Sequence, residues 1–287
     1  MNDYKIFIDL SADIDGEYVK ENNIGFVPMQ YQIGEETKIS SFVESDEVMK
    51  DFYKAMKDGL ITSTSQITPY KYVEFFSPYC EKGIDILYLP LSSGLSQTYS
   101  SAKMAKEELN KKYPNIKIEI IDSLSATAGI AILANLAVEN KKSGMTLEEN
   151  AKKMASMIDK TQVTFLVENL TYLKRGGRIK ASTAFIAGAL NIKPVLIVNK
   201  EGKLETIAKK HGVKKAASYL VEKFNEEYDP NYKTVYISHA DCIDTANYVK
   251  EKLEETHKDL NIKIVMISPI IGAHVGPGMC ALCNFTK

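Results

Sequence analysis

Apolar runs and helical patterns alternate along the first 160 residues of the chain. Short runs rich in Ile, Leu, Val and Phe predict strands at Lys5–Leu10, Phe26–Ile33, Ile84–Leu91 and Ile116–Ile121. Apolar residues that recur every three or four positions predict helices at Asp15–Asn22, Asp46–Lys57, Tyr70–Lys82, Gln97–Asn110, Ala126–Asn140 and Thr146–Lys160. This order predicts an α/β domain over residues 1–160, with a mostly parallel sheet and helices on both faces.

The order of elements changes after about residue 160. Strands are predicted at Val163–Val167, Pro194–Asn199, Lys203–Ala208, Thr234–His239 and Lys263–Ser268. Helices are predicted at Asn169–Lys174, Ser182–Leu190, Val213–Tyr228 and Thr245–His257. The turn sequence Lys200-Glu-Gly202 joins two of these strands into a β-hairpin. Residues 161–287 are therefore expected to form a second, mixed α/β domain.

A hydroxyl-rich stretch follows the third predicted strand, where five serines and one threonine lie between Ser92 and Ser101. Ser96 stands where the next helix should have its N-cap, but capping accounts for only one of these hydroxyls. A helix N-terminus after a strand also attracts anions, and hydroxyls add neutral donors. The stretch has no phosphate-binding glycine motif and no lysine, so a small anion such as a carboxylate is expected.

Two further segments have candidate anion ligands. Thr62–Pro69 is predicted to be a loop in which Thr68 caps the following helix, and this leaves Thr64 and Ser65 without a structural role. The glycine-dense segment Ile270–Gly278 is predicted to be a loop after the last strand, and it carries His274. Glycine lets backbone approach a ligand closely, and a histidine there can donate a hydrogen bond to an anion.

The sequence fits other kinds of site less well. Gly94-Leu-Ser-Gln-Thr98 resembles a serine hydrolase elbow, but His274, the possible base, has no acidic residue near it in sequence. The carboxylates of Asp9-Leu-Ser-Ala-Asp13 and Asp15 do not fit a calcium loop, so capping and turn formation are expected. Cys280 and Cys283 lack a second pair for zinc, which predicts packing. No metal or cofactor is expected.

Composition limits the partners. The net charge of −1, with no basic stripe, argues against nucleic acid, and the apolar runs are too short or too interrupted for stable membrane insertion. No signal peptide is evident, so a cytoplasmic location is expected. Only two of the 36 basic residues are arginine, Arg175 and Arg178. A guanidinium can grip a carboxylate with two hydrogen bonds, which makes one of this pair a candidate ligand.

Five segments in order resemble motifs of the DegV family of bacterial fatty-acid-binding proteins, the fatty acid kinase B subunits. They are DLSAD at Asp9–Asp13, TSQITP at Thr64–Pro69, SSGLSQTY at Ser92–Tyr99, LKRGGRI at Leu173–Ile179 and IGAHVGPG at Ile271–Gly278. The second departs from the family pattern at Ile67 and Thr68. The third has Gln97 where the family has glycine, at the point where a carboxylate would come nearest.

The resemblance implies a two-domain α/β protein that binds one long-chain, palmitate-like fatty acid between its domains. The carboxylate would meet Thr64 and Ser96, with Ser65 and Gln97 beside them and Arg178 and His274 close by. The protein would not be an enzyme, but would present the fatty acid to a separate kinase subunit for phosphorylation to an acyl phosphate. A serine hydrolase using Ser96, or a carrier of another amphipathic carboxylate, remains the alternative.

Overall fold

The computed structural model describes residues 3–180 and 191–287. The strands within these ranges are β1 (Tyr4–Asp9), β2 (Gly25–Val27), β3 (Met29–Ile33), β4 (Glu36–Ser40), β5 (Thr62–Ser65), β6 (Asp85–Leu89), β7 (Ile118–Ile120), β8 (Thr161–Leu166), β9 (Ile192–Val198), β10 (Leu204–His211), β11 (Thr234–His239), β12 (Asn261–Met266) and β13 (Cys280–Phe285). The helices within them are α1 (Gly16–Glu21), α2 (Asp46–Lys57), α3 (Pro69–Glu81), α4 (Thr98–Lys112), α5 (Ala128–Lys142), α6 (Leu147–Met157), α7 (Thr171–Arg175), α8 (Val213–Glu227), α9 (Ile243–Thr256) and α10 (Pro269–Val275).

The first half of the chain builds the predicted parallel sheet, in the order β2-β1-β6-β7. Every residue of β6 and all but one of β1 are buried, as in a parallel sheet with both faces covered. Helices α3 and α4 pack on each other, and α5 and α6 form a second pair against the same sheet. The loop between β6 and α4 therefore leaves the sheet at the carboxyl ends of its central strands, where such sheets bind ligands.

The second half builds a mixed sheet in the order β10-β9-β8-β13-β11-β12. The predicted hairpin of β9 and β10 is confirmed, and β11 and β12 are the only parallel neighbours among the described strands of this sheet. Helices α8 and α9 pack against this sheet, while α5 contacts β8, β11 and β13 as well as β1 of the first sheet. Because α5 packs between the two sheets, it is buried along nearly its whole length, which explains why most of its residues are apolar.

Two predictions in the first half were wrong. The single strand predicted at Phe26–Ile33 is two strands, β2 and β3, which belong to different sheets. Pro28 stands between them, and proline has no N–H to continue a ladder of hydrogen bonds. The predicted loop at Thr62–Pro69 begins with strand β5, which pairs with β3 in a small antiparallel sheet, β4-β3-β5. Strand β4 was not predicted.

Two elements near the end of the chain also differ from prediction. The segment predicted as a glycine-dense loop contains helix α10, in which Ser268 is the N-cap and Pro269 occupies the first turn. Strand β13 was not predicted, yet it lies between β8 and β11 and is buried at every residue. Cys280 and Cys283 are free thiols within it, in agreement with the predicted packing role.

The predicted helix at 182–190 lies outside the described residues. The predicted division of the chain at residue 160 falls between the two sheets and stays a prediction. One continuous cluster of buried apolar residues runs from β1 to β13 through both halves, and a second cluster underlies α8 and α9. The junction of the two halves is therefore part of the core.

Candidate functional site

A cavity of about 400 Å³ lies where the carboxyl end of the first sheet faces the second sheet. Its walls come from the β6–α4 loop, β5 and the start of α5 in the first half, and from β8, β9, β10 and α10 in the second. One part of the lining is polar, and it contains all six predicted site residues: Thr64, Ser65, Ser96, Gln97, Arg178 and His274. The volume falls within the range of about 300–1,000 Å³ that is usual for small-molecule sites.

The β6–α4 loop supplies Ser96. Helix α4 begins at Thr98 and its N-cap is Gln97, so the prediction that Ser96 is the N-cap was wrong by one residue. The Ser96 hydroxyl still accepts a hydrogen bond from the Thr98 N–H at 3.2 Å, and the two hydroxyl oxygens lie 2.8 Å apart. Either hydroxyl of this pair can be the donor; if the buried Thr98 hydroxyl donates to Ser96, the Ser96 proton is free to reach a ligand.

The loop is held in place from both halves of the molecule. The buried Ser92 hydroxyl donates to the carbonyl of Gly202, at the turn of the β9–β10 hairpin, at 2.8 Å. Asp122 accepts from the Ser93 N–H at 3.1 Å. A Cβ added to Gly94 would lie 2.5 Å from the Gly202 carbonyl oxygen, so glycine is required where the loop meets the hairpin. These contacts position Ser96 through the backbone of its own loop.

Thr64 and His274 meet at the polar end of the cavity. The Thr64 Oγ1 of β5 and the His274 Nε2 of α10 lie 2.7 Å apart. His274 Nδ1 is buried and has no hydrogen-bond partner among the described residues. The ring fits there because Gly176 has no side chain: a Cβ on Gly176 would lie 2.4 Å from Nδ1. If Nε2 carries the proton and donates it to Thr64, the Thr64 hydroxyl proton faces the cavity.

The imidazole of His274 is neutral at ordinary pH. Its burial, together with the nearby positive charge of Arg178, lowers its pKa from 6.5 to about 4. The side chain therefore acts as a hydrogen-bonding group, while the positive charge of the polar end belongs to Arg178.

Arg178 lies between the two sides of the polar end. Its Nε donates to the Leu95 carbonyl at 3.2 Å, and its Nη1 donates to the Gly176 carbonyl. Burial lowers the pKa of its guanidinium, which nevertheless stays protonated. No carboxylate of residues 3–180 or 191–287 forms a salt bridge with it, so its charge is available to a bound anion. The other arginine, Arg175, is exposed and lies over the ring of Tyr172.

The remaining predicted residues, Ser65 and Gln97, are exposed and line the mouth of the cavity. Sequence reasoning missed Gln66, although the TSQ motif contains it, and it missed the contribution of the Leu95 carbonyl. It also missed most of the apolar wall, formed by side chains that include Leu91, Val163, Phe165, Ile270, Ile271 and Val275. In the sequence these residues cannot be distinguished from ordinary core residues, because the same strand and helix positions would be apolar even without a cavity.

The geometry suits an amphipathic anion. Hydroxyls, the guanidinium of Arg178 and a neutral imidazole converge at one end of the cavity, and apolar side chains line most of the rest. In the described part of the chain, no group of three or more His, Cys, Asp or Glu side chains could hold a metal ion. None of the helices described is both long enough and apolar enough to cross a membrane.

The arrangement does not favour the hydrolase alternative. The hydrogen-bond partner of the Ser96 hydroxyl is Thr98, whereas the imidazole of His274 is engaged with Thr64. A nucleophilic serine needs a base within hydrogen-bond reach and a third group that orients the base. Within the described ranges, His274 Nδ1 has no such orienting partner.

Comparison with known proteins agrees with this geometry. The chain is 36% identical to a DegV domain-containing protein of Clostridium perfringens, over 98% of this chain and 97% of the relative. A Thermotoga maritima structure described as revealing fatty acid binding function is 28% identical, with a TM-score of 0.83 and full coverage of both chains. The Fatty Acid Kinase B3 protein of Streptococcus pneumoniae, loaded with linoleic acid, is 21% identical and shares the fold, with a TM-score of 0.85 over 99% of this chain and all of that one.

The family model described as "uncharacterised protein, DegV family" matches residues 3–287. Together with the identity to the clostridial relative, this match across nearly the whole sequence shows that the chain belongs to the DegV family.

Proposed function

We propose that this protein binds one long-chain, palmitate-like fatty acid in the cavity between its two sheets. The observation that carries the proposal is the convergence of Thr64, Ser96, His274 and Arg178 at one end of a cavity whose other walls are apolar. The carboxylate would lie among these four side chains, and the acyl chain would lie against the apolar wall. The fatty acid binding described for the Thermotoga maritima relative supports the same ligand class.

The energetics of such a ligand match the site. Burying the tail contributes roughly 0.8 kcal/mol per CH₂ before the costs of association. The carboxylate contributes little net affinity, because it loses its hydration, but left unpaired it would cost several kcal/mol. One guanidinium and two hydroxyls are enough to offset that loss.

We extend the proposal to the role of a fatty-acid-presenting subunit that is not itself an enzyme. The family motifs imply a separate kinase that phosphorylates the bound carboxyl group. The exposed positions of Ser65 and Gln97 support this role, because the carboxylate end would then be the end nearest to solvent. A kinase active site could reach the head group there while the tail stays buried.

The proposal predicts that the delipidated protein binds palmitate and that Ser96→Ala weakens binding about tenfold, the effect of losing one hydrogen bond to a charged group. Isothermal titration calorimetry would measure both dissociation constants. Ser100→Ala is the matched control, since Ser100 is exposed in the first turn of α4, is not part of the cavity lining, and should leave the affinity unchanged when replaced. Equal affinity of the Ser96→Ala and wild-type proteins would remove Ser96 from the site. Binding of a different amphipathic carboxylate, but not palmitate, would favour the alternative carrier.

Arg178→Lys is predicted to weaken palmitate binding by about tenfold or more, because one ammonium cannot replace a planar group that contacts two carbonyls and a ligand at once. The same change at the exposed Arg175 should alter the affinity by less than about twofold, since charge is conserved in both variants. The two variants differ only in position, so a similar loss of affinity in both would contradict a specific role for the planar guanidinium of Arg178.

The His274 imidazole is predicted to titrate near pH 4 in the ligand-free protein and at a higher pH in the palmitate complex. The reason is that a bound carboxylate neutralises the charge of Arg178 and favours the protonated ring. Because the complex would then bind more protons, affinity should rise as the pH falls from 7 toward 5. NMR titration of the ring signals, assigned with His274→Gln, measures both values. A ligand-free pKa near 6.5, or a fall on binding, would contradict this arrangement.

A further inference from the structure

Asp13 is a buried carboxyl group that does not itself line the cavity. It follows β1 and is only 4% exposed. Its neighbour in the same acidic string, Asp15, caps α1 as the sequence predicted, through a hydrogen bond from the Glu17 N–H. Asp13 has no part in that cap. A buried carboxyl group is expensive unless its oxygens are hydrogen-bonded, so its two contacts indicate what it holds.

The first contact is with α10. Asp13 Oδ1 accepts a hydrogen bond of 2.7 Å from the Ser268 N–H, at the N-cap of the helix. The Ser268 hydroxyl donates to the Leu10 carbonyl at 2.9 Å, so the start of α10 is joined twice to the segment after β1. His274 lies on the last turn of α10, about 9 Å along the helix axis from Ser268. This anchor therefore helps to place the imidazole.

The second contact is with the strained start of α5. Asp13 Oδ2 accepts a hydrogen bond of 2.6 Å from the Thr127 hydroxyl, which also lies 3.0 Å from the Ser238 hydroxyl of β11. Thr127 has φ 50° and ψ −141°, a conformation that a β-branched residue adopts only under constraint. Thr127 lines the cavity. The hydrogen bonds of its side chain supply the constraint that holds the turn.

We propose that Asp13 is a positioning residue for the fatty-acid site, which fixes α10, and with it His274, relative to the wall formed by the turn at Thr127. Its partners lie 114 and 255 residues away along the chain, so one carboxyl group joins three segments that have no local reason to meet. Two other hydrogen bonds help to hold this segment: the Tyr53 hydroxyl donates to the Ile267 carbonyl, just before the N-cap, and the Thr62 hydroxyl donates to the Ala273 carbonyl near the end of α10. Asp13 accepts the N–H of the N-cap residue itself.

The test measures two quantities in full-length, delipidated Asp13→Ala: the His274 pKa by NMR, and the palmitate dissociation constant by calorimetry. With the anchor lost, the ring should gain water and its pKa should rise from about 4 toward 6.5, and palmitate should bind about tenfold more weakly. Asp13→Asn keeps an oxygen for the Ser268 N–H and should lie closer to wild type in both measurements.

Asp85→Ala is the matched control, because Asp85 is also buried and accepts a backbone N–H, that of Lys117, away from the cavity. It should change neither quantity. An unchanged His274 pKa or an unchanged dissociation constant in Asp13→Ala would overturn the inference, and so would equal changes in Asp85→Ala.

If Asp13→Ala does not fold, Ser268→Pro replaces it. The φ angle of Ser268, −63°, suits proline, and the substitution removes the N–H that donates to Asp13. Ser268→Ala, which keeps that N–H, is the comparison, and the same changes in His274 pKa and palmitate affinity are expected in the proline variant alone.

Because this inference rests on the proposed function, the two readouts separate a failure of the inference from a failure of the proposed function. A wild-type protein that does not bind palmitate contradicts the proposed function, whereas the His274 pKa reports on Asp13 without any ligand.

Discussion

The 2.7 Å contact between the Thr64 hydroxyl and the His274 imidazole is the constraint around which the polar end of the cavity is built. It joins a strand of the small antiparallel sheet to a helix 210 residues later in the chain. Burial keeps the imidazole neutral, so the contact brings no second positive charge beside Arg178. The polar end therefore has one unit of positive charge and several neutral donors, which complements a singly charged carboxylate better than a phosphate.

The side chains around the hydroxyl-rich loop after β6 decide which chemistry Ser96 can take part in. A serine on a strand–helix turn is a nucleophile in one setting and an anion ligand in another, and the neighbouring side chains decide which. Here the Ser96 hydroxyl is hydrogen-bonded to Thr98, and the His274 imidazole is hydrogen-bonded to Thr64. Ser96 and His274 therefore do not form a nucleophile–base pair. If Thr98 donates to Ser96 and the His274 Nε2–H donates to Thr64, both hydroxyl protons are left for an anion. The packing of the loop against the β9–β10 hairpin makes the site a joint property of both halves of the molecule.

Local sequence patterns were sufficient to predict the bounds of an element wherever its own residues form a clear pattern. Helix α2 and strand β11 have the predicted bounds, because one is strongly amphipathic and the other is a short apolar run between polar segments. Helix α10 could not be predicted in this way: it has seven residues, it contains Gly272, and it is held by tertiary contacts to Asp13, Tyr53 and Thr62. Strand β13 is buried on both faces, so it lacks the alternation that marks a half-buried strand. The six predicted site residues, all of which line the cavity, could be selected from the sequence because hydroxyls, a rare arginine and a histidine among glycines stand out from core residues, whereas the residues of the apolar wall do not.

A crystal structure of the protein bound to palmitate is the most direct measurement of the central claim. The account predicts carboxylate oxygens within about 3 Å of the Ser96 and Thr64 hydroxyls, ordinary hydrogen-bond distances, with the acyl chain running past Phe165 and Ile271. A carboxylate at any other place on the molecule, or a tail outside the cavity between the two sheets, would contradict it.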